Sequence, residues 1–538
     1  MLPARYKEVF NTIIMFDSSK ERYRFRVVIP AYPAFNIYSS VAKITTALGP
    51  VCVASVVDKM EKWDAEVIDE NNLGRYGPSG NEGGADHDFL QRLRPADVVG
   101  LYGGLTSTIP QLYKVARFYK DKDVITIAGG QHFVEDNIAE GLHNGIDYVV
   151  IGEGEETVKD LLAAIVNKRD VNGIKGIAYL KAGKVIITSV RSPITDFDKF
   201  PLPNFSLVRY ANIKLYPVGR VRGCGMNCEF CTVKGKPRYA SPQRLLESIR
   251  LIVETRDGRH FFIVDDLFGQ HRDETIQLCN MLESYQRSIN RRLDFTVQIR
   301  LDKAKDSQLL LAMRRGGINT VAIGFESPIG EELKAMNKHI RPEDMIHLAR
   351  VYHKFGFLVH GMFIFGYPLK EGINFKMPAK ERVKCFKNFI RRAKIDTIQV
   401  LLPVPLPGTE LTHRLKDKNR IYAVEDIGWE YYDGNFPLFE PDFPLTARDM
   451  QDSIRKIMSK FYQFKYAFMP IMHIISFPAL VFFLYNIKLG WRKWYRPWRN
   501  ALARFGGWIV MREWTNEFKK GVFIRKLQRA KEHMRSRR

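Results

Sequence analysis

The sequence predicts an α/β protein. A parallel sheet with helices on both faces comes first, then an incomplete (βα)6 barrel of the TIM type, then a basic, α-helical C-terminal region. Three observations carry this expectation. Residues 24–190 alternate short β-branched runs with amphipathic stretches, as strands and crossover helices do. Residues 215–410 repeat the alternation in six units spaced by roughly 25–40 residues, the length of one βα unit. From about residue 411 the alternation stops, and an uncharged stretch and a tryptophan-rich basic tail follow. The expected domains are 1–190, a linker at 191–210, a barrel at 211–415 and a C-terminal domain at 416–538.

In the first domain "RFRVVIPAYP", "AEVIDE", "DVVGLYGG", "DVITIAGG" and "YVVIGEGE" read as strands. "SSVAKITTALGPVCVASVVDKM" and "IPQLYKVARFYKD" read as helices between them. Ligands of such sheets bind at the carboxyl ends of the strands. Those ends carry Gly103-Gly104, Gly129-Gly130 and Gly152-Glu153-Gly154. Each pair alone fits a tight turn. Their recurrence at successive strand ends favours close approach of a large flat ligand. "IKGIAYLKAGKVIITS" reads as a closing hairpin, and the proline-rich "RSPITDFDKFPLPNF" as a linker.

The barrel strands are expected in "YPVGRVRG", "HFFIVDD", "LDFTVQIR", "INTVAIGFES", "FLVHGMFIFGYP" and "IDTIQVLLP". Asp265, Asp266, Arg300, Glu326 and Ser327 cluster at their ends, the rim where βα barrels build chemistry.

Composition narrows the class. Apolar content of 45% and aromatic content of 12% over 538 residues suit packed domains. Six scattered cysteines make no disulfide framework and point to a reducing cytoplasm. No secretory signal opens the chain, by expectation from "MLPARYKEVFNTIIMFDSSKERYRFRVV". Net charge is +24, which calls for an acidic partner. Residues 488–538 hold sixteen Lys and Arg against three Glu, net +13, with five of the seven tryptophans.

Tyr466 to Ile487 contains no charged residue, which is the length of a span. Yet one crossing would put the basic tail outside, against the positive-inside rule, and Pro470 and Pro478 interrupt a helix. The expectation is a peripheral protein on the inner, cytoplasmic face of an anionic membrane, with a buried apolar segment as the alternative. Nucleic acid, with the tryptophans stacking on bases, is disfavoured because the tail directly follows an apolar run.

"RGCGMNCEFCTVKG" places Cys224, Cys228 and Cys231 in one glycine-flanked loop after the first barrel strand. Structural zinc wants four ligands, and the loop offers no fourth. A [4Fe–4S] cluster on three cysteines leaves one iron open to bind a small molecule.

This CxxxCxxC spacing, with Phe230 before the third cysteine, resembles the radical S-adenosylmethionine (SAM) superfamily. Residues 24–190 resemble the Rossmann-like cobalamin-binding domain that precedes the barrel in one branch, through "AGGQHFVEDNIAEGLHNGIDYVVIGEGEETV". "FFIVDDLF", "VQIRLD", "IGFESP", "FIFGYP" and "PVPLPGTEL" match that branch's barrel landmarks in order. The resemblance implies that Cys224, Cys228 and Cys231 ligate the cluster. It sets Phe230 against the adenine, Asp265 and Asp266 near the methionine amine, Arg300 on the carboxylate and Glu326 at the ribose of SAM. It lines the corrin with Gly103, Gly104, Thr106, Gly129, Gly130, His132, Gly152 and Gly154. The DxHxxG pattern of some cobalamin enzymes is absent, so a histidine at that motif is not the lower axial ligand.

The resemblance implies a methyltransferase using the cluster, SAM and cobalamin, with a reductant such as flavodoxin or ferredoxin. The expected substrate is an unactivated carbon of an apolar, hopanoid-like lipid. The alternative enzyme is an anaerobic oxidative cyclase of Mg-protoporphyrin monomethyl ester type, which has the same architecture.

Overall fold

The computed structural model describes residues 20–468 apart from 75, 76, 82 and 339, and residues 500–537 apart from 513 and 516–520. Five parallel strands form the centre of the first sheet: β1 (Tyr23–Ile29), β2 (Trp63–Asp69), β3 (Val98–Tyr102), β4 (Ile125–Gly129) and β5 (Tyr148–Val150). Their spatial order is β2-β1-β3-β4-β5, so the chain reverses direction across the sheet between β1 and β3. The hairpin β6 (Ile177–Lys181) and β7 (Lys184–Ile187) extends the sheet antiparallel to β5. At the other edge β8 (Val208–Arg209), within the expected linker, adds parallel to β2. β3 and β4 are apolar almost throughout because helices cover both faces, whereas β2 carries Asp64, Glu66 and Asp69. β1 carries two arginines, Arg24 and Arg26. Arg26 is fully buried and is tied to Glu66 of β2 at 2.8 Å.

The barrel sheet has six parallel strands: β9 (Leu215–Val218), β12 (His260–Phe268), β13 (Asp294–Ile299), β14 (Ile318–Glu326), β15 (Leu358–Ile364) and β16 (Thr397–Leu401). Between β9 and β12 lies a small antiparallel ladder, β10 (Val221–Arg222) with β11 (Arg238–Tyr239). In β15 buried and half-buried residues alternate strictly, as a strand with helices behind it and a lumen in front requires.

Strands β9 and β16 are the open edges, and the first domain reaches into the seam between them. The Ile44 carbonyl accepts from Lys214 N–H and Leu215 N–H at 2.8 and 2.9 Å. The Thr45 hydroxyl donates to the Leu215 carbonyl at 2.8 Å, and the Tyr38 hydroxyl bonds the Gln399 amide of β16. This explains a difference from expectation. The stretch read as one helix over 39–60 is two, Ser39–Ala42 and Leu48–Asp58, because the residues between them serve the barrel edge.

In the C-terminal region, helix Ala447–Phe461 opens on a capping box of Thr446 and Asp449. Helix Val522–Arg537 is docked, with Phe523 centred 5.0 Å from Tyr431 and 4.7 Å from Phe436, and Lys526 paired to Glu430 at 2.7 Å. Trp514 is buried, so it offers no face for base stacking. Of the uncharged stretch 466–487, residues 469–487 lie outside the described residues, as do Trp491, Trp494 and Trp498. Among the described residues no helix is long and apolar enough to cross a membrane.

Candidate active site

The cysteine loop is closed at its base by the β10–β11 ladder, where Arg222 faces Arg238. Gly223 has φ +85°, and a Cβ there would meet the Lys236 carbonyl at 2.7 Å. Only glycine lets the two limbs of the loop run that close. The thiols of Cys224, Cys228 and Cys231 are half-buried. Burial pushes the Cys228 and Cys231 thiols up. Gln270 donates to the Cys224 carbonyl at 3.1 Å and Lys234 to the Cys228 carbonyl at 3.0 Å.

Asp265 and Asp266, at the end of β12, anchor backbone. Asp265 Oδ1 accepts from Arg220 N–H and Val221 N–H at 2.6 and 2.9 Å. Its burial pushes the carboxyl up to about 6. Asp266 Oδ2 accepts from Gly223 N–H at 2.6 Å. The two carboxylates therefore fix the path from β9 into the cysteine loop, a role sequence reasoning did not assign them.

Glu229, between the second and third cysteines, is buried. Its oxygens accept from Arg414 Nε at 2.6 Å and from the Tyr367 hydroxyl at 2.6 Å. The loop is thereby locked to the end of β15 and to helix Glu410–Asp417. A carboxylate in an otherwise apolar "CEFC" was the one visible signal. Its partners lie far along the chain. Phe230 packs edge-on to the same Tyr367, ring centres 5.9 Å apart.

The first domain grips the base of the loop. Glu153 meets Arg222 at 3.0 Å and Arg238 at 2.8 Å, and Glu155 also pairs with Arg222. These acids belong to the "GEGEE" turn after β5, so the two domains meet at the ladder that shapes the cysteine loop.

The other rim residues fall nearby. Arg300 makes a two-point ion pair with Asp302, both bonds at 2.9 Å, and lies 3.2 Å from the Met226 sulfur of the loop. Its guanidinium thus already holds a carboxylate. Glu326 has φ +60° at the end of β14 and lies 3.1 Å from Lys338 Nζ. Burial works against the Lys338 charge, but Glu326 and Cys228 outweigh it and hold the ammonium above the ordinary lysine range. Sequence reasoning missed Lys338, which sits in the polar "MNKH" run with no pattern to mark it.

A cavity of about 480 Å³ lies between the domains. Its walls come from β1 (Phe25, Val27), helix Leu48–Asp58, the ends of β4 and β5, the linker (Phe197, Pro203) and the barrel side (Gly219, Arg222, Asp266). Gly129, Gly130, Gly152 and Gly154 line it. At Gly152, φ +88°, a Cβ would meet nothing within 4 Å.

Gly103, Gly104, Thr106 and His132 are not among the residues lining the cavity. Each of these two glycines lies against an aromatic ring. A Cβ at Gly103 would lie 2.4 Å from the Phe133 ring, and one at Gly104 would lie 2.1 Å from the Tyr102 ring. Thr106 is buried in the turn Thr106–Thr108. His132 is buried between Phe133 and Trp429, ring centres 5.4 and 4.9 Å away, with neither ring nitrogen hydrogen-bonded. Burial pulls it down to about 3, so it is neutral.

The donor set fits a cubane cluster. Among the described residues no three His, Cys, Asp or Glu side chains converge as one metal ion requires, whereas cluster thiolates bind separate irons. Cys279 packs against Gly316 behind the barrel, and Cys385 lies on helix Ala379–Arg392, so neither completes a four-thiolate site. The mainly apolar inter-domain cavity, with Gly152 open to it, fits part of a corrinoid.

Comparison with known proteins agrees with both halves. A B12 binding domain model matches residues 38–162, and a Radical SAM superfamily model matches residues 219–374. The chain is a radical SAM enzyme with a B12-binding domain. The cofactors that go with those two domains are cobalamin, a [4Fe–4S] cluster and SAM.

Relatives of this radical SAM enzyme carry different names. An uncharacterized methyltransferase of Pyrococcus horikoshii is 28% identical over 70% of this chain and 80% of its own. An anaerobic magnesium-protoporphyrin IX monomethyl ester cyclase of Rubrivivax gelatinosus is 25% identical over 70% of this chain and 66% of its own. The hopanoid C-2 methylase of Rhodopseudomonas palustris is 22% identical over 75% of this chain and 72% of its own. Among solved structures, the radical SAM methyltransferase TsrM of Kitasatospora setae, with cobalamin and a [4Fe–4S] cluster bound, superposes with a TM-score of 0.63. It covers 90% of this chain and 99% of its own at 16% identity, a likeness of fold alone.

Proposed function

We propose that this enzyme moves a methyl group from SAM, by way of cobalamin, to an unactivated carbon of an apolar, lipid-class substrate. The observation that carries the reading is the shared inter-domain cavity. It runs from Gly129 and Gly152 of the first domain to Arg222 and Asp266 at the base of the cysteine loop. When bound, the cluster supplies the electron that opens SAM and cobalamin supplies the methyl group. The chain's own residues orient and enclose. Cys224, Cys228 and Cys231 would hold the cluster, and Glu229 and Asp266 fix their loop. Glu326 and Lys338, paired at 3.1 Å near Cys228, would offer SAM one anionic and one cationic group. The segment 38–45 closes the barrel seam against water, which keeps reactive species from solvent.

The methyltransferase and the hopanoid methylase among the relatives support methylation of an apolar molecule. The experiment is lipid profiling by mass spectrometry of cells with and without the chain, grown on methyl-labelled methionine. A labelled methyl in one lipid of the expressing cells alone is the expected result. A labelled-free product lacking hydrogens would instead favour oxidative ring closure.

A further inference from the structure

The amino-terminal end of the barrel carries a surface that the cofactor site does not use. Helix 500–512 docks there through polar groups. Asn500 Nδ2 donates to Asp396 Oδ1 at 2.6 Å, and Arg504 donates to the Asp396 and Ile395 carbonyls at 3.1 and 3.2 Å. Both carbonyls immediately precede β16, at the opposite end of the strands from the cysteine loop.

The outward face of this helix is apolar. Leu502 is 52% exposed and Ile509 43%, with exposed Gly506 between them on the same helical face. Phe464 and Phe468, 48% and 53% exposed, continue the patch. The Phe464 ring lies 4.9 Å from Trp508 and 5.3 Å from Phe468, and Phe505 stacks on Trp508 at 5.7 Å. Cations rim the aromatics: Arg512 over Trp508 at 5.6 Å and Lys465 over Tyr466 at 5.7 Å. A contiguous apolar face turned outward marks an interaction site.

We propose that this face seats on an anionic lipid bilayer. Charge selects the occupant. Residues 488–512, which lead into this helix and form it, hold seven Lys and Arg and no Asp or Glu, and Lys and Arg beside an anionic surface favour binding. Exposed aromatics interleaved with Lys and Arg match the headgroup zone. In sequence the patch flanks residues 469–487, none of them charged. A second copy of the chain would have to bring this same basic surface against itself.

The test uses the full-length protein and vesicles of phosphatidylcholine with and without phosphatidylglycerol. Three exposed positions are changed together, Phe468→Ser, Leu502→Ser and Ile509→Ser. A second variant reverses charge, Lys465→Glu with Arg512→Glu. Cluster content of the reconstituted proteins reports folding. The protein should float with phosphatidylglycerol vesicles, less in high salt, and each variant should lose at least tenfold in partitioning with its cluster intact. Three results overturn the proposal: wild type that stays soluble and ignores both vesicles, variants that float as well as wild type, or a dimer that the triple substitution dissociates. None of them bears on methyl transfer, because the patch is remote from the cavity.

Discussion

The Glu153 carboxylate lies 3.0 Å from the Arg222 guanidinium, joining the turn after the last parallel strand of the B12-binding domain to the strand that enters the cysteine loop. Burial pushes this carboxyl up, but hydrogen bonds from Arg238, the Ile194 N–H and Arg222 outweigh it and hold the group below the ordinary glutamate range. A carboxyl lowered on folding stabilises above its unfolded pKa, about 4.3, and loses that contribution as pH falls through its folded value. Glu153→Gln should cost roughly 1–3 kcal/mol near neutral pH. In urea unfolding, the gap between wild type and variant should close as pH drops below about 4. A gap that is constant with pH would remove the ion pair from the account.

Glu229 tests the lock on the other side of the loop. With Arg414 and Tyr367 both bonded to it, Glu229→Gln should destabilise by roughly 2–4 kcal/mol and speed loss of the cluster to chelators. Equal cluster half-lives in wild type and variant would make the contact incidental to the loop.

Cys224→Ala, Cys228→Ala and Cys231→Ala should each abolish the cluster and all 5′-deoxyadenosine formation. Cys52→Ala, Cys279→Ala and Cys385→Ala should retain both, as iron and sulfide analysis with Mössbauer spectra would report. Cys279 is buried in the helix layer, where its thiol is pushed up to about 12. Cluster loss on changing it would require a different ligand set.

The sequence is legible where a pattern is local. Alternation marks the parallel strands, and the cysteine spacing marks the loop. Partnerships set by tertiary placement are not legible. Glu229 and Arg414 are separated by 185 positions, and no spacing links them. The segment 38–45 has helical periodicity, yet Ile44 and Thr45 bond the barrel edge, where tertiary hydrogen bonds override propensity. The glycine pairs were informative about turns but ambiguous about ligands. Gly103 and Gly104 lie against the Phe133 and Tyr102 rings, whereas Gly152 has free space before it.

That distinction predicts where cobalamin uptake is vulnerable. Val53 lines the inter-domain cavity from helix Leu48–Asp58. Val53→Trp fills that space and should weaken cobalamin binding at least tenfold by equilibrium dialysis while leaving iron content unchanged. Unaltered cobalamin affinity would place the corrinoid elsewhere.

The central claim is methyl transfer, and its most direct measurement is the fate of the methyl group itself. Anaerobic holoenzyme, with its cluster and cobalamin, is given reductant, SAM carrying a trideuterated methyl group, and an apolar lipid extract from cells lacking the chain. The account predicts a lipid that gains the intact trideuteromethyl group, with 5′-deoxyadenosine released alongside and none of the labelled lipid formed by the Cys228→Ala protein. Release of 5′-deoxyadenosine with an altered product that carries no deuterium would contradict it.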